Sequence, residues 1–110
     1  MSLSEPLHKQ ISELVAQNRV VLFMKGTRSM PQCGFSAQVV KILDVLVPDY
    51  ATVDALRSTE LRDGIKVFSQ WPTIPQLYID GQFIGGCDIV NEMNASGELR
   101  TLLGVRVEGA

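Results

Sequence analysis

The sequence predicts a small α/β domain, a four-stranded mixed sheet in the order 2-1-3-4 flanked by helices. Three observations carry that expectation. Val20-Val21-Leu22-Phe23-Met24 is apolar at every position, the pattern of a strand covered on both faces and central to its sheet. Stretches with apolar residues at helical spacing lie on either side of it. Further on, Asp80-Gly81 separates two short apolar runs, a strong signal for a two-residue hairpin.

Each element has its own justification. Leu3, Leu7, Ile11, Leu14 and Val15 recur at helical spacing, with Ser4 fit to cap a helix over about residues 4–18 and Pro6 suited to its first turn. The strand of residues 20–24 follows, and Lys25-Gly26 ends it. Residues 27–32 read as a loop, because Pro31 has no amide hydrogen for a ladder. Val39, Val40, Leu43, Leu46 and Val47 mark a helix from about Gly34, which Pro48 stops by disfavouring helical geometry in the residue before it. Residues 50–54 predict a second, short strand. Ser58 or Thr59 caps a helix with Leu61, Ile65 and Phe68 on one face; Gly64 inside it is expected to cost about 1 kcal/mol relative to Ala.

Trp71-Pro72-Thr73-Ile74-Pro75 is not helical, and residues 76–79 and 82–84 form the hairpin strands. Gly85-Gly86 breaks the second of these. Asp88 is placed to cap a helix carrying Ile89, Val90 and Met93, Gly97 ends it, and Leu99, Leu102 and Leu103 continue as a last helical segment. Residues 105–110 read as a loose tail. A crossover helix between the first two strands makes them parallel, while the hairpin adds antiparallel pairs. That arrangement is the thioredoxin type.

Composition narrows the function classes. The 110 residues fit a single domain, with its core at about residues 5–104. A hydrophobic share of 45% and a charged share of 20% are those of an ordinary soluble globular protein. A net charge of -2 argues against nucleic acid as a partner, which would call for a basic surplus. No apolar run approaches the roughly 20 residues that cross a bilayer, so no membrane partner is expected. The first residues carry neither the cationic lead nor the apolar segment of a secretory signal. Two cysteines are too few for a secreted disulfide framework, so a reducing compartment, the cytoplasm, is the expectation.

The chemistry-bearing candidate is Cys33, where a strand has ended, a loop has turned and a helix begins. A thiolate, not a thiol, is the nucleophile and metal ligand. Two features favour it here: the unpaired amides at the helix start, and the ammonium of Lys25 at the end of the central strand. The plain alternative is a small apolar residue at a helix end. A redox Cys-X-X-Cys would carry its second cysteine at position 36, but Ser36 stands there. Any second sulfur must come from elsewhere.

Cys33-Gly34-Phe35-Ser36 resembles the signature of the monothiol glutaredoxins, a branch of the thioredoxin fold. Lys25-Gly26-Thr27, Pro31, the block from Trp71 to Leu77, and Gly85-Gly86-Cys87-Asp88 follow the same family pattern in order. Ala55 is a small departure, where a larger aliphatic residue is usual. The resemblance implies a glutathione groove. Ile74, before a cis proline, would offer its backbone to the peptide. Cys87 and Asp88 would hold the γ-glutamyl end at a helix start, and Lys25 and Arg62 would grip the glycyl carboxylate. Lys66, four residues from Arg62, reads as a solvated neighbour. Cys87 is either a structural cysteine at a helix start or a disulfide partner of Cys33. Trp71 reads as core or groove wall, and His8 as solvated.

Two functions follow from the resemblance. One is carriage of a [2Fe-2S] cluster, with Cys33 from each of two chains and two glutathione thiolates as ligands. Its partners would be a second copy of the chain, iron-sulfur acceptor proteins and, as a candidate, a BolA-like protein. The other is an enzyme that removes glutathione from protein thiols, with Cys33 attacking the mixed disulfide. A thioredoxin-like interaction domain with no thiol role is the third.

Overall fold

All five residues of β1 (Val20–Met24) are buried, which requires cover on both faces of the sheet. In the computed structural model, which describes residues 3–104, β1 lies inside a four-stranded sheet of order β2-β1-β3-β4. β2 (Ala51–Asp54) runs parallel to β1, with Val21 opposite Ala51 and Phe23 opposite Val53. β3 (Gln76–Ile79) is antiparallel to β1, with Leu22 opposite Leu77, and β4 (Gln82–Gly85) is antiparallel to β3. The expected order 2-1-3-4 is the observed one.

Side chains alternate along β1 and so divide the core in two. Val20, Leu22 and Met24 pack with Val39 and Leu43 of α2 (Gly34–Leu46), Val90 of α4 (Cys87–Ser96), and Leu99 and Leu103 of α5 (Glu98–Leu103). Val21 and Phe23 pack with Ile11 and Val15 of α1 (Glu5–Gln17) and with Leu61 and Ile65 of α3 (Thr59–Ser69). Ser4 caps α1 through a hydrogen bond from the Leu7 amide, and Ser58 caps α3 through one from Leu61. Ala55 is fully buried at the start of a short 3-10 turn, Ala55–Arg57, where the smaller side chain fits beside Phe23 and Val53 in that half of the core.

Three sequence expectations change. Asp88 does not cap α4: the helix begins two residues earlier than that, at Cys87, with Gly86 in the cap position and no side-chain cap, so Asp88 falls inside its first turn. Gly85 closes β4 rather than breaking it. Gly64 is more than a weak point of α3. A Cβ there would overlap Leu7 Cδ2 and come within 3.1 Å of Leu3 Cδ1, so the missing side chain lets α1 lie close against α3. The tail, residues 105–110, lies outside the described residues.

One long-range tie has no sequence signal. Arg19 donates from Nη2 to the carbonyls of Leu103 (2.9 Å) and Leu102 (3.3 Å) at the end of α5, and from Nε to Asp80 in the hairpin turn at 3.3 Å. No helix among the described residues is long and apolar enough to cross a membrane.

Candidate functional site

Cys33 occupies the N-cap position of α2, in extended backbone, with the first residues of the helix immediately beyond it. Its thiol is half-buried and free. Burial alone would push the thiol up. The backbone amides of Ser36 and Phe35, the Lys25 ammonium and the Ser36 hydroxyl act against that and together hold it below its ordinary value. Both ionising features expected from the sequence, the helix amides and Lys25, are therefore present.

Ser36 does more than leave a cysteine out. It is fully buried, and its Oγ accepts the Lys25 amide at 3.0 Å, fastening the start of α2 to the end of β1. The end of β1 is held a second time, by Asp54 at the end of β2. Asp54 Oδ1 accepts the amides of Gly26 (3.0 Å) and Leu56 (2.9 Å). The loop before Cys33 turns on Gly26, whose φ is +90°, and Gln32 donates back to the Lys25 carbonyl at 2.9 Å. Neither the Ser36 nor the Asp54 tie is visible in the sequence, because both join segments distant along the chain.

A groove of about 230 Å³ lies beside the start of α2. Phe35, Trp71, Thr73, Ile74 and Pro75 form part of its wall; Gly86, Cys87, Asp88 and Ile89 at the start of α4 complete it. The Ile74-Pro75 peptide bond is cis, as the family pattern implies. The Ile74 amide and carbonyl have no protein partner among the described residues. Gln76, fully buried, supports this wall from behind by donating from Nε2 to the carbonyls of Thr73 (3.0 Å) and Trp71 (3.2 Å). Gly86 lets the turn into α4 pass close by, since a Cβ there would stand 3.2 Å from the Pro75 carbonyl oxygen. Larger hollows elsewhere on the surface are lined by neither cysteine.

The structure thus brings Ile74, Cys87 and Asp88 to one groove, with Phe35, two residues past Cys33, on its wall. Lys25 is close enough to Cys33 for its charge to act on the thiol. Arg62 is not among the residues lining this groove. It stands half-buried on α3 with Nε 3.7 Å from Asp63 Oδ1, a loose contact that leaves Nε without a hydrogen bond. Lys66 is half-buried rather than fully solvated. Trp71 is groove wall, as expected, and packs on Phe83 with ring centroids 5.6 Å apart. His8 is exposed, with its ring 5.3 Å from that of Phe68.

Cys87 is a different thiol from Cys33. Burial pushes it up, the Asp88 carboxylate adds to that, and Asn91, donating to Sγ at 3.5 Å, only partly opposes them; the charge of Cys33 adds a smaller upward push. As pH rises, iodoacetamide is therefore expected to label Cys33 before Cys87, read by mass spectrometry of the two cysteine peptides. Labelling of Cys87 first, or of both together, would contradict this account of the electrostatics.

A thioredoxin-like sheet, a lowered thiol at the start of α2 and a cis-proline turn ahead of β3 together mark the glutaredoxin class. A sequence model of the glutaredoxin family matches residues 20–84. A monothiol glutaredoxin ycf64-like from Synechocystis is 52% identical over 96 residues, covering 87% of this chain and 90% of that protein. The mitochondrial monothiol glutaredoxin-5 of Saccharomyces cerevisiae is 48% identical, covering 94% and 71%. The solution structure of reduced poplar apo GrxS14 superposes with a TM-score of 0.81 at 49% identity, covering 94% and 95%. A buckwheat glutaredoxin-glutathione complex superposes at 0.77 with 28% identity, covering 92% and 94%. The chain belongs to the monothiol glutaredoxins.

Proposed function

We propose that this glutaredoxin binds glutathione in the groove beside α2 and, as a homodimer, carries a [2Fe-2S] cluster as cargo to acceptor proteins. The observation that carries this reading is the disparity between its sulfurs. Cys33 is held toward the thiolate, Cys87 is held toward the thiol, and Ser36 fills the resolving position as a buried structural hydroxyl. Among the described residues no group of three or more His, Cys, Asp or Glu side chains is placed to hold a metal. One chain thus offers one good sulfur ligand, and a cluster of this kind takes four. Two Cys33 thiolates and two glutathione thiolates make that number.

The groove has features suited to glutathione. The Ile74 backbone, free of protein partners, would pair with the cysteinyl unit as a strand partner. The start of α4 lacks a side-chain cap, so its first amides would receive the γ-glutamyl carboxylate while Asp88 takes the ammonium. Lys25 and Arg62 would hold the glycyl carboxylate. Cys87 lines the pocket through its place at the helix start. Acceptors in the cytoplasm, with a BolA-like protein as a further partner, complete the reading.

Anaerobic reconstitution with iron, sulfide and glutathione tests it. The expected product is a visible-absorbing dimer that fails to form without glutathione or with Cys33→Ser, and that still forms with Cys87→Ser. A colourless monomer with rapid turnover of a glutathionylated substrate would favour the second reading, a deglutathionylating enzyme. The lowered Cys33 thiol also suits that reading, since it is the nucleophile such an exchange requires.

A further inference from the structure

The loop ahead of Cys33 is held by more than its own turns. Arg28, near its tip, reaches across to α2 and points both Nε and Nη2 at Asp44 Oδ1, each at 2.9 Å. The same carboxylate oxygen accepts the Tyr50 hydroxyl at 2.7 Å. The Arg28 guanidinium carbon sits 4.1 Å from the centre of the Tyr50 ring, and Nη2 lies 3.4 Å from the Pro48 carbonyl. Tyr50 is itself buried, so the platform under the guanidinium is fixed by the core. Burial and the bond to Asp44 push its phenol up, which keeps it a donor. One carboxylate oxygen, one stacked arginine and one buried phenol form a connected network, none of whose members lines the groove.

Its topology gives it a consequence. Arg28 precedes Cys33 and Asp44 follows it on the helix that starts there, so the contact closes a ring of chain with the cysteine on it. We propose that Arg28, Asp44 and Tyr50 form a positioning clasp, which pins the segment before Cys33 to the helix after it and so fixes where the thiol meets the amides of Phe35 and Ser36. Without the clasp, the loop retains the Gly26–Pro31 bridge, the Gln32 to Lys25 bond, the Asp54 tie to Gly26 and the contacts among Thr27, Ser29, Met30 and Gln32. Those hold the base of the loop but do not join its tip to α2. The inference rests on Cys33 being the functional thiol, but it concerns the free protein and does not depend on glutathione or iron.

Two single substitutions separate position from charge. Arg28→Lys keeps the cation but loses the stacked fork, and Asp44→Asn removes an anion. Amide hydrogen exchange at Met30 and Gln32 is expected to quicken at least about fivefold in both, the protection a stacked, ion-paired arginine is worth. β1 and β3 should exchange as before. The rate of Cys33 alkylation at fixed neutral pH, with Cys87 as internal reference, is expected to fall roughly three- to tenfold in both, as the thiol loses its place at the helix start. Combining the two changes should do no more than either alone, because they break one contact. Tyr50→Phe should move both readouts the same way by less.

A purely electrostatic effect gives the opposite pattern, with Asp44→Asn speeding alkylation and Arg28→Lys leaving it alone. That result would overturn the proposal. So would a loop that exchanges no faster, or one that exchanges faster while Cys33 alkylates at its original rate. None of these outcomes bears on cluster assembly, so the clasp can fail while the carrier reading stands.

Discussion

Gly26→Ala is expected to destabilise the protein by about 3 kcal/mol and lower its Tm by roughly 10–20 °C. The φ of +90° at this position is one that a residue with a side chain rarely adopts. A Cβ there would also come within 2.6 Å of two backbone atoms, the Gln32 nitrogen and the Met30 oxygen, and 2.8 Å of Gln32 Cγ. Backbone atoms cannot swing aside as a side chain does. Relief would need the loop to open, breaking the Gln32 to Lys25 bond and shifting the residue next to Cys33. Urea unfolding measures the first effect, and a fall in Cys33 alkylation rate at fixed pH reports the second. A loss below about 0.5 kcal/mol, the range of an ordinary surface change, would mean that the turn is not held as described.

Gln76→Leu is expected to cost about 1–2 kcal/mol of stability, because two carbonyls lose their donor. Thr73 is exposed and its carbonyl can turn to water, whereas Trp71 is half-buried and has less freedom to do so. The Gln76 Oε1 has no partner, so removing it recovers part of the loss. The proposed binding of glutathione should weaken by roughly tenfold, since the wall from Trp71 to Pro75 would have to be reordered when the peptide binds. Isothermal titration of glutathione into the reduced protein is the direct measurement. Unchanged affinity alongside lowered stability would show that Gln76 supports the fold and not the groove.

Much of the site is legible in the sequence. Cys33 at a helix start, Ser36 in the resolving position and a non-helical turn at Ile74-Pro75 follow from local pattern, because caps, strand ends and proline turns are set by neighbours along the chain. That the bond there is cis is implied by the family resemblance alone. Asp88 looks like a cap because Asp is a common cap residue, yet Gly86 occupies that position where the chain must pass the Pro75 carbonyl. Gly64 looks like a helix weakness since propensity counts only the local backbone, and its reason lies on α1. Gln76, Asp54 and the Arg28–Asp44–Tyr50 network carry no sequence signal, because each is a polar side chain whose partner is fixed by folding.

The succession of helices and strands, the parallel and antiparallel pairings and the placing of Cys33 ahead of α2 are already written in the chain, as consequences of periodicity and turn residues. The contrast in character between the two thiols is not. It arises in the fold, where Cys33 meets helix amides and Lys25 while Cys87 meets burial and Asp88. A thiol's ionisation depends on burial, charges and dipoles within a few ångströms. Most of the charged and polar groups here are near neighbours along the chain, but how deeply each sulfur is buried and how those groups are aimed at it is decided only by the fold.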